Sequence, residues 1–304
     1  MSKIVIALGG NALGNSVEEQ LENSMIAAKS ISDLIEEGHN VVIAHGNGPQ
    51  VGIISKLMNT NDFNMPLVEC TAMSQGYIGY HLEQCIMNEF ETRKIEKEVC
   101  TILTQVLVDP NDSAFLNPTK PIGNYYSEDV AMKLMAETSK RYVEDSGRGW
   151  RMVVPSPKPI DICEKKTIKM LVDAGIVTIA CGGGGMPVSN ASGILVGVEA
   201  VIDKDFAAAK LASLIGADCL FILTAVDQVK INFNKPDEKA LTNITIAEAK
   251  KYILEDHFAP GSMLPKIEAA LSFIEGSQHR KAIIGSLKKA RDAINGDSGT
   301  TLVS

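Results

Sequence analysis

Short apolar runs alternate along this chain with longer stretches in which apolar positions recur every three or four residues. Lys3–Leu8 (KIVIAL) is the first run; it ends in Gly9-Gly10 and predicts a buried strand. Val17, Leu21, Met25, Ala28, Ile31, Leu34 and Ile35 then fall at helical spacing, with Ser16 and Glu19 placed for a capping box and Gly38 as the stop. Val41–His45 is the next predicted strand, closed by Gly46-Asn47-Gly48-Pro49, and a helical stretch carries Tyr77, Tyr80, Leu82 and Ile86. Thr101–Val108 is strand-like throughout. Ile176–Cys181, Cys219–Thr224 and Lys281–Ser286 are later strands, with helical segments between them.

Repeated strand-helix-strand units with near-continuous apolar strands predict an α/β fold, a mainly parallel sheet covered by helices on both faces. Crossovers are right-handed in such sheets, and ligands sit beyond the carboxyl ends of the strands. The residues just after each strand are therefore the ones that matter for chemistry. Residues 109–150 break the alternation: they are rich in Pro, Asn, Asp and Gly around a short helical patch. A loop that long within a compact domain is usually functional, and it predicts an excursion projecting from the sheet.

Composition narrows the classes. Of 304 residues, 45% are hydrophobic and 22% charged, a soluble globular balance. Asp and Glu (37) outnumber Lys and Arg (29), a net charge of −8 without a basic cluster, which argues against nucleic-acid binding. No apolar run approaches the roughly 20 residues of a membrane span. The first residues, MSKIVIALGGNALG, carry too short an apolar stretch for a signal peptide. Cys70, Cys85, Cys100, Cys163, Cys181 and Cys219 show no C-x-x-C spacing and read as reduced thiols, with Cys181 notable for its place beside a glycine run. These features predict a cytoplasmic protein without membrane or nucleic-acid partners.

Three strand ends carry glycine clusters: Gly9-Gly10-Asn11, Gly46-Asn47-Gly48 and Gly182–Gly185. Glycine lets backbone approach a ligand closely, and N–H groups at a following helix start form an anion site. One such loop is a common structural turn; three at strand ends predict phosphate binding. The first loop is not a P-loop, since Asn15 stands where lysine is required, and it is not G-x-G-x-x-G. Metalloprotease, EF-hand, nucleophile-elbow and protein-kinase motifs are absent.

The cations for a phosphate must come from elsewhere. Lys204, flanked by Asp203 and Asp205, reads as an exposed loop lysine just before a helix. Lys266 follows Gly261-Ser262-Met263-Leu264-Pro265, and Lys120 lies within the excursion in NPTKPIG (Asn117–Gly123). Lysine at a helix start opposes the dipole, a cost that a bound anion offsets. Asp205 is placed to orient a lysine or hold Mg²⁺, or simply to favour a first helical turn.

These residues carry a resemblance. The chain resembles the carbamate kinases of the amino-acid kinase superfamily through ALGGNAL (Ala7–Leu13), HGNGPQVG (His45–Gly52), SQGYIGY (Ser74–Tyr80), NPTKPIG, GGGGMPV (Gly182–Val188), GVEAVIDKD (Gly197–Asp205), LTAVD (Leu223–Asp227) and FAPGSMLPKIEAA (Phe258–Ala270). NPTKPIG and GSMLPK are the most specific; the resemblance covers nearly the whole chain. It implies an open three-layer αβα sandwich with a mainly parallel central sheet, one domain over 1–304, a protruding substrate-lid subdomain at 109–150 and a nucleotide-side lobe from about 216 to 304. It also implies a homodimer that moves a phosphoryl group reversibly between ATP and carbamate, giving ADP and carbamoyl phosphate. Mg²⁺ accompanies the nucleotide, and flux runs toward ATP in the breakdown of arginine or other ureido compounds.

By the same resemblance, Lys204 and Lys266 contact the transferred phosphoryl and the nucleotide phosphates, and Asp205 organises the lysines or the metal. Gly9, Gly10 and Asn11 supply donors near the transferring group. Gly46, Asn47 and Gly48 cradle carbamate or its phosphate. Thr224, Asp227 and Met263 line the nucleotide side, and Lys120 closes over the small substrate. Met186 and Cys181 depart slightly from the expected glycine run. A kinase of another small acid or of a nucleoside monophosphate, or a non-catalytic nucleotide-binding relative, are the alternatives; NPTKPIG speaks against the first, and retention of all three lysines with Asp205 against the second.

Overall fold

A computed structural model describes residues 2–9, 14, 16–59, 63–145 and 147–304. In chain order the first elements are β1 (Lys3–Leu8), α1 (Val17–Glu36), β2 (Asn40–His45), α2 (Gly48–Met58), α3 (Leu67–Arg93), β3 (Val99–Thr101) and β4 (Gln105–Leu107). Then come β5 (Lys120–Tyr126), α4 (Glu128–Glu137), β6 (Arg141–Glu144), β7 (Trp150–Val154), β8 (Asp161–Ile162), α5 (Lys165–Asp173), β9 (Val177–Ile179), β10 (Met186–Ser189) and β11 (Val196–Gly197). The remainder holds α6 (Lys204–Ile215), β12 (Cys219–Leu223), β13 (Lys230–Ile231), β14 (Lys239–Ala240), β15 (Asn243–Thr245), α7 (Ile246–Leu254), α8 (Met263–Ile274), β16 (Lys281–Gly285), α9 (Ala290–Asn295) and β17 (Thr300–Val303).

The central eight-stranded sheet has the order β15-β17-β16-β12-β1-β2-β9-β3. All its pairings are parallel except β16 with β17. Alternate residues of a strand point to opposite faces, and both faces are apolar. Val5, Ala7, Val42 and Ala44 join one buried cluster that includes Ala208, Leu211 and Ile215 of α6 and Ile267 and Phe273 of α8. Ile4, Ile6, Leu8, Val41 and Ile43 join the other, with Ile31 and Leu34 of α1 and Leu82 and Ile86 of α3. Ser16 caps α1 by accepting the Glu19 N–H at 3.2 Å, and Gly38 follows its end with φ +87°.

Thr101–Val108 is not one strand. The chain leaves the central sheet after Thr101, and β4 belongs to a four-stranded sheet of order β11-β10-β4-β8. The cause lies in α3. Gln75 accepts the Thr104 N–H at 2.8 Å, so a side chain takes the donor a ladder would use, while the Thr104 carbonyl receives both Gln75 Nε2 at 3.2 Å and the Met186 N–H at 2.8 Å, which draws the chain toward the second sheet.

The excursion folds as an antiparallel sheet, β5-β7-β6, with α4 beside it. Its last strand continues through Val154, beyond the Pro- and Gly-rich composition that marks the rest. The sheet rests on α2 by an approach that only glycine permits. A Cβ at Gly52 would lie 2.1 Å from the Cα of Gly123, itself at φ +73°.

Candidate active site

The carboxyl ends of β12, β1, β2 and β9 lie side by side along one edge of the central sheet, which brings the glycine-bearing segments together. Gly9 follows β1; Gly10 and Asn11 lie outside the described residues. The Gly46 N–H donates to the Leu8 carbonyl at 3.0 Å, tying the second segment to the first. His45, fully buried, has Nδ1 3.1 Å from the Gly46 carbonyl. A carbonyl only accepts, so Nδ1 carries the hydrogen and Nε2 presents a lone pair without a partner. Burial lowers the His45 pKa to about 4, partly opposed by that hydrogen bond.

Asn47 is buried and donates through Nδ2 to Ser74 Oγ at 2.7 Å. Its side chain therefore does not cap α2, whose first turn begins with Gly48-Pro49 and holds no acidic residue. A helix start left in that state presents uncapped N–H groups and the positive end of the dipole.

The third glycine cluster is closely packed. Gly182–Gly185 is buried, in a short turn entered through Cys181 at φ +53°. A Cβ at Gly183 would sit 2.1 Å from Asn47 Nδ2, and one at Gly184 2.1 Å from the Ile202 carbonyl oxygen. The turn is a packing joint between the starts of α2 and α6. Cys181 is fully buried, and burial pushes its thiol pKa up, which makes it inert rather than reactive.

The charged residues converge at the start of α6. Asp203 is the N-cap, and its Oδ1 accepts the Asp205 N–H at 2.9 Å. Lys204 is the first helical residue, not an exposed loop residue: its side chain is 13% exposed, and Nζ lies 2.5 Å from Asp205 Oδ1. Helix geometry turns it inward, and a carboxylate waits there. Lys266, in the first turn of α8, reaches the other oxygen, Asp205 Oδ2, at 2.8 Å. One buried carboxylate thus bridges two ammonium groups. Burial depresses the Lys204 pKa; Asp205 counters this, while Lys266 adds to it.

Lys120, first residue of β5, places Nζ 2.5 Å from Asp203 Oδ2. Burial works to raise the Asp203 pKa, but Lys120 and Lys204 outweigh it and hold the carboxyl well below the ordinary range. A fourth lysine, Lys158, was not among the candidates. Its ammonium lies 3.1 Å above the centre of the Phe206 ring and 3.8 Å from Glu268. The only signal for it was proximity in the fold. Lys120, Lys204 and Lys266 face Asp203 and Asp205, which leaves an excess positive charge suited to an anion.

The remaining candidates are Thr224, Met263 and Asp227. The Thr224 N–H donates to the Gly285 carbonyl at 2.9 Å, just after β12. Met263 begins α8, one turn before Lys266, and packs on the core. Asp227 pairs with Lys289 at 2.7 Å on an exposed surface.

Residues 2–286 match the amino acid kinase family. The chain is similar to the carbamate kinase of Clostridium perfringens (strain 13 / Type A), with 54% identity over 99% of both chains. It is also similar to the carbamate kinase-like protein YqeA of Escherichia coli (strain K12), with 50% identity over 99% of this chain and 98% of that one. Among solved structures it matches the carbamate kinase from Giardia lamblia bound to AMP-PNP, with a TM-score of 0.90, 43% identity, and coverage of 99% and 98%.

Proposed function

The chain belongs to the amino acid kinase family and, within it, to the carbamate kinases, and from that premise we propose how its strand-end cleft transfers a phosphoryl group between ATP and carbamate. The observation that carries the reading is the Lys204–Asp205–Lys266 bridge at the start of α6. In the forward direction a carbamate oxygen attacks the γ-phosphorus as the bond to the ADP oxygen breaks; in reverse, the ADP β-phosphate oxygen attacks carbamoyl phosphate. No proton has to move. Such a reaction needs in-line placement and stabilised charge more than covalent help, and preorganised cations supply that without reorganising.

In this reading Lys204 and Lys266 meet the transferred phosphoryl and the nucleotide phosphates. Asp205 holds both ammonium groups in place. The uncapped start of α2, with Gly46, Asn47 and Gly48, receives the carbamate or its phosphate, and Gly9, Gly10 and Asn11 add donors beside it. Lys120, carried by the protruding sheet, covers the acceptor and limits water. Thr224, Asp227 and Met263 form the nucleotide side, in a lobe of residues 216–304.

Mg²⁺ is the expected companion of the nucleotide; when bound, it neutralises phosphate charge. The donor set fits an ion that arrives on the phosphates. Both oxygens of Asp203 and of Asp205 already have partners, and no group of three or more metal-ligating side chains occurs among the described residues. Mg²⁺ commonly rests on substrate phosphates and retains waters; with both its oxygens on lysines, Asp205 would hold the ion only on releasing one of them. We further propose a homodimer acting in the cytoplasm, with flux toward ATP in the breakdown of arginine or other ureido compounds. No helix among the described residues is long and apolar enough to cross a membrane.

The test is to supply ADP, Mg²⁺ and carbamoyl phosphate and to measure ATP. ATP should form, with acetyl phosphate a poorer donor. A well-folded protein that makes no ATP from carbamoyl phosphate overturns the reading.

A further inference from the structure

We infer that Asp203 is a positioning residue that fastens the protruding sheet to the start of α6 and so sets where Lys120 stands over the acceptor. Its two oxygens do two different things. Oδ1 accepts the Asp205 N–H at 2.9 Å and closes the helix. Oδ2 takes the Lys120 ammonium at 2.5 Å, across 83 residues of sequence. One rigid carboxylate thereby relates the cation of the excursion to the helix turn that carries Lys204 and Asp205.

Neighbouring contacts strengthen the junction. Lys120 is fixed along β5 by its register with Val154 on β7. Directly after β7, the Pro155 carbonyl accepts the Val201 N–H at 3.0 Å, two residues before Asp203. Gly52 against Gly123 holds the same strand to α2. The Asp203 side chain is 18% exposed, so its pair with Lys120 is less weakened by solvent than a surface pair. A helix cap needs only an uncharged acceptor, whereas fixing an ammonium is best done by a carboxylate. The helix dipole also favours a negative cap, but neither cap nor dipole accounts for Oδ2 being turned onto Lys120.

The inference rests on the proposed role of Lys120, and the experiment separates the two. Asp203→Asn keeps a good cap, because Asn and Asp cap equally well, and removes only the charge. ADP affinity by calorimetry should stay at the wild-type value, while the melting temperature should fall, because the Lys120 ammonium loses its sheltered counter-charge. kcat/KM for carbamoyl phosphate should fall roughly tenfold, the scale of one charge-assisted contact. Lys120→Met should lose a similar amount or more. The double variant should be no worse than Lys120→Met, since Asp203 acts through Lys120. Hydrogen exchange should quicken in residues 120–126 of Asp203→Asn while α6 stays protected, a readout that needs no activity. Wild-type kinetics with unchanged exchange in Asp203→Asn overturn the inference, as do additive losses in the double variant. If wild-type protein fails to make ATP, the functional reading fails alone, and the exchange comparison still decides the tie.

Discussion

Two helices begin against the same buried glycine turn, α2 through Asn47 on Gly183 and α6 through Ile202 on Gly184, yet their positive ends are completed in opposite ways. At α2 the N-cap amide is drawn inward to Ser74, no side chain caps the first turn, and no acid stands there. At α6, Asp203 caps, Asp205 follows in the first turn, and three lysines close on the two carboxylates. The same dipole is left open on one side and saturated on the other. An open helix start offers N–H groups to a small anion, whereas a saturated one spends its carboxylates on aiming cations. In the proposed reaction the phosphoryl group would meet N–H donors at α2 and ammonium groups at α6, with Lys120, tied to the α6 cap, over the acceptor.

The comparison breaks most sharply at α6. Lys204→Met removes a cation while Asp205 keeps Lys266, so the fold should persist. Turnover should drop by about a hundredfold or more, the scale of one preorganised transition-state donor. Near-normal kcat in a folded variant would reduce Lys204 to a structural ion pair.

A second effect tests the support beneath α2. The unfolded chain protonates His45 near pH 6.5, but the folded chain does so only near pH 4. The stability tied to a neutral imidazole is thus fully present above pH 6.5 and is lost as pH falls toward 4. That loss is about 3 kcal/mol for this group alone. Urea unfolding across that range should show the decline, and His45→Asn, which retains a donor for the Gly46 carbonyl, should flatten it. An equal slope in both proteins would assign the acid sensitivity elsewhere.

The smallest effect sharpens the reading of the open helix start. A Cβ at Gly48 meets nothing within 4 Å, so Gly48→Ala should match or slightly exceed wild-type stability, since Ala suits a helix better than Gly. Any functional cost must then come from the ligand. KM for carbamoyl phosphate should rise about fivefold, equivalent to roughly 1 kcal/mol, with ADP affinity unchanged. Unaltered KM would move the anion away from α2.

Local pattern alone carried much of this protein. The apolar runs Lys3–Leu8, Val41–His45, Cys219–Thr224 and Lys281–Ser286 appear as β1, β2, β12 and β16 within a residue, because a strand buried on both faces must be apolar at nearly every position. The stop at Gly38 and the cap at Ser16 were equally plain, since each acts on its own neighbours. Strand-end glycines and helix-start lysines marked the edge where chemistry belongs, by the rule that parallel sheets bind ligands there. Tertiary structure decided what depends on distant partners. Gln75 ends the predicted Thr101–Val108 strand from 29 residues away. The edge strand β15 and its neighbour β17 have too few residues to show a period. That Gly183 and Gly184 pack against Asn47 and Ile202 is equally invisible in the run of glycines itself. Asp203, a flanking acid in the sequence, acquires its meaning only when Lys120 is folded against it. Periodicity and capping are contests among neighbours within a turn or two, whereas a buried charge is defined by whichever counter-charge the fold brings beside it.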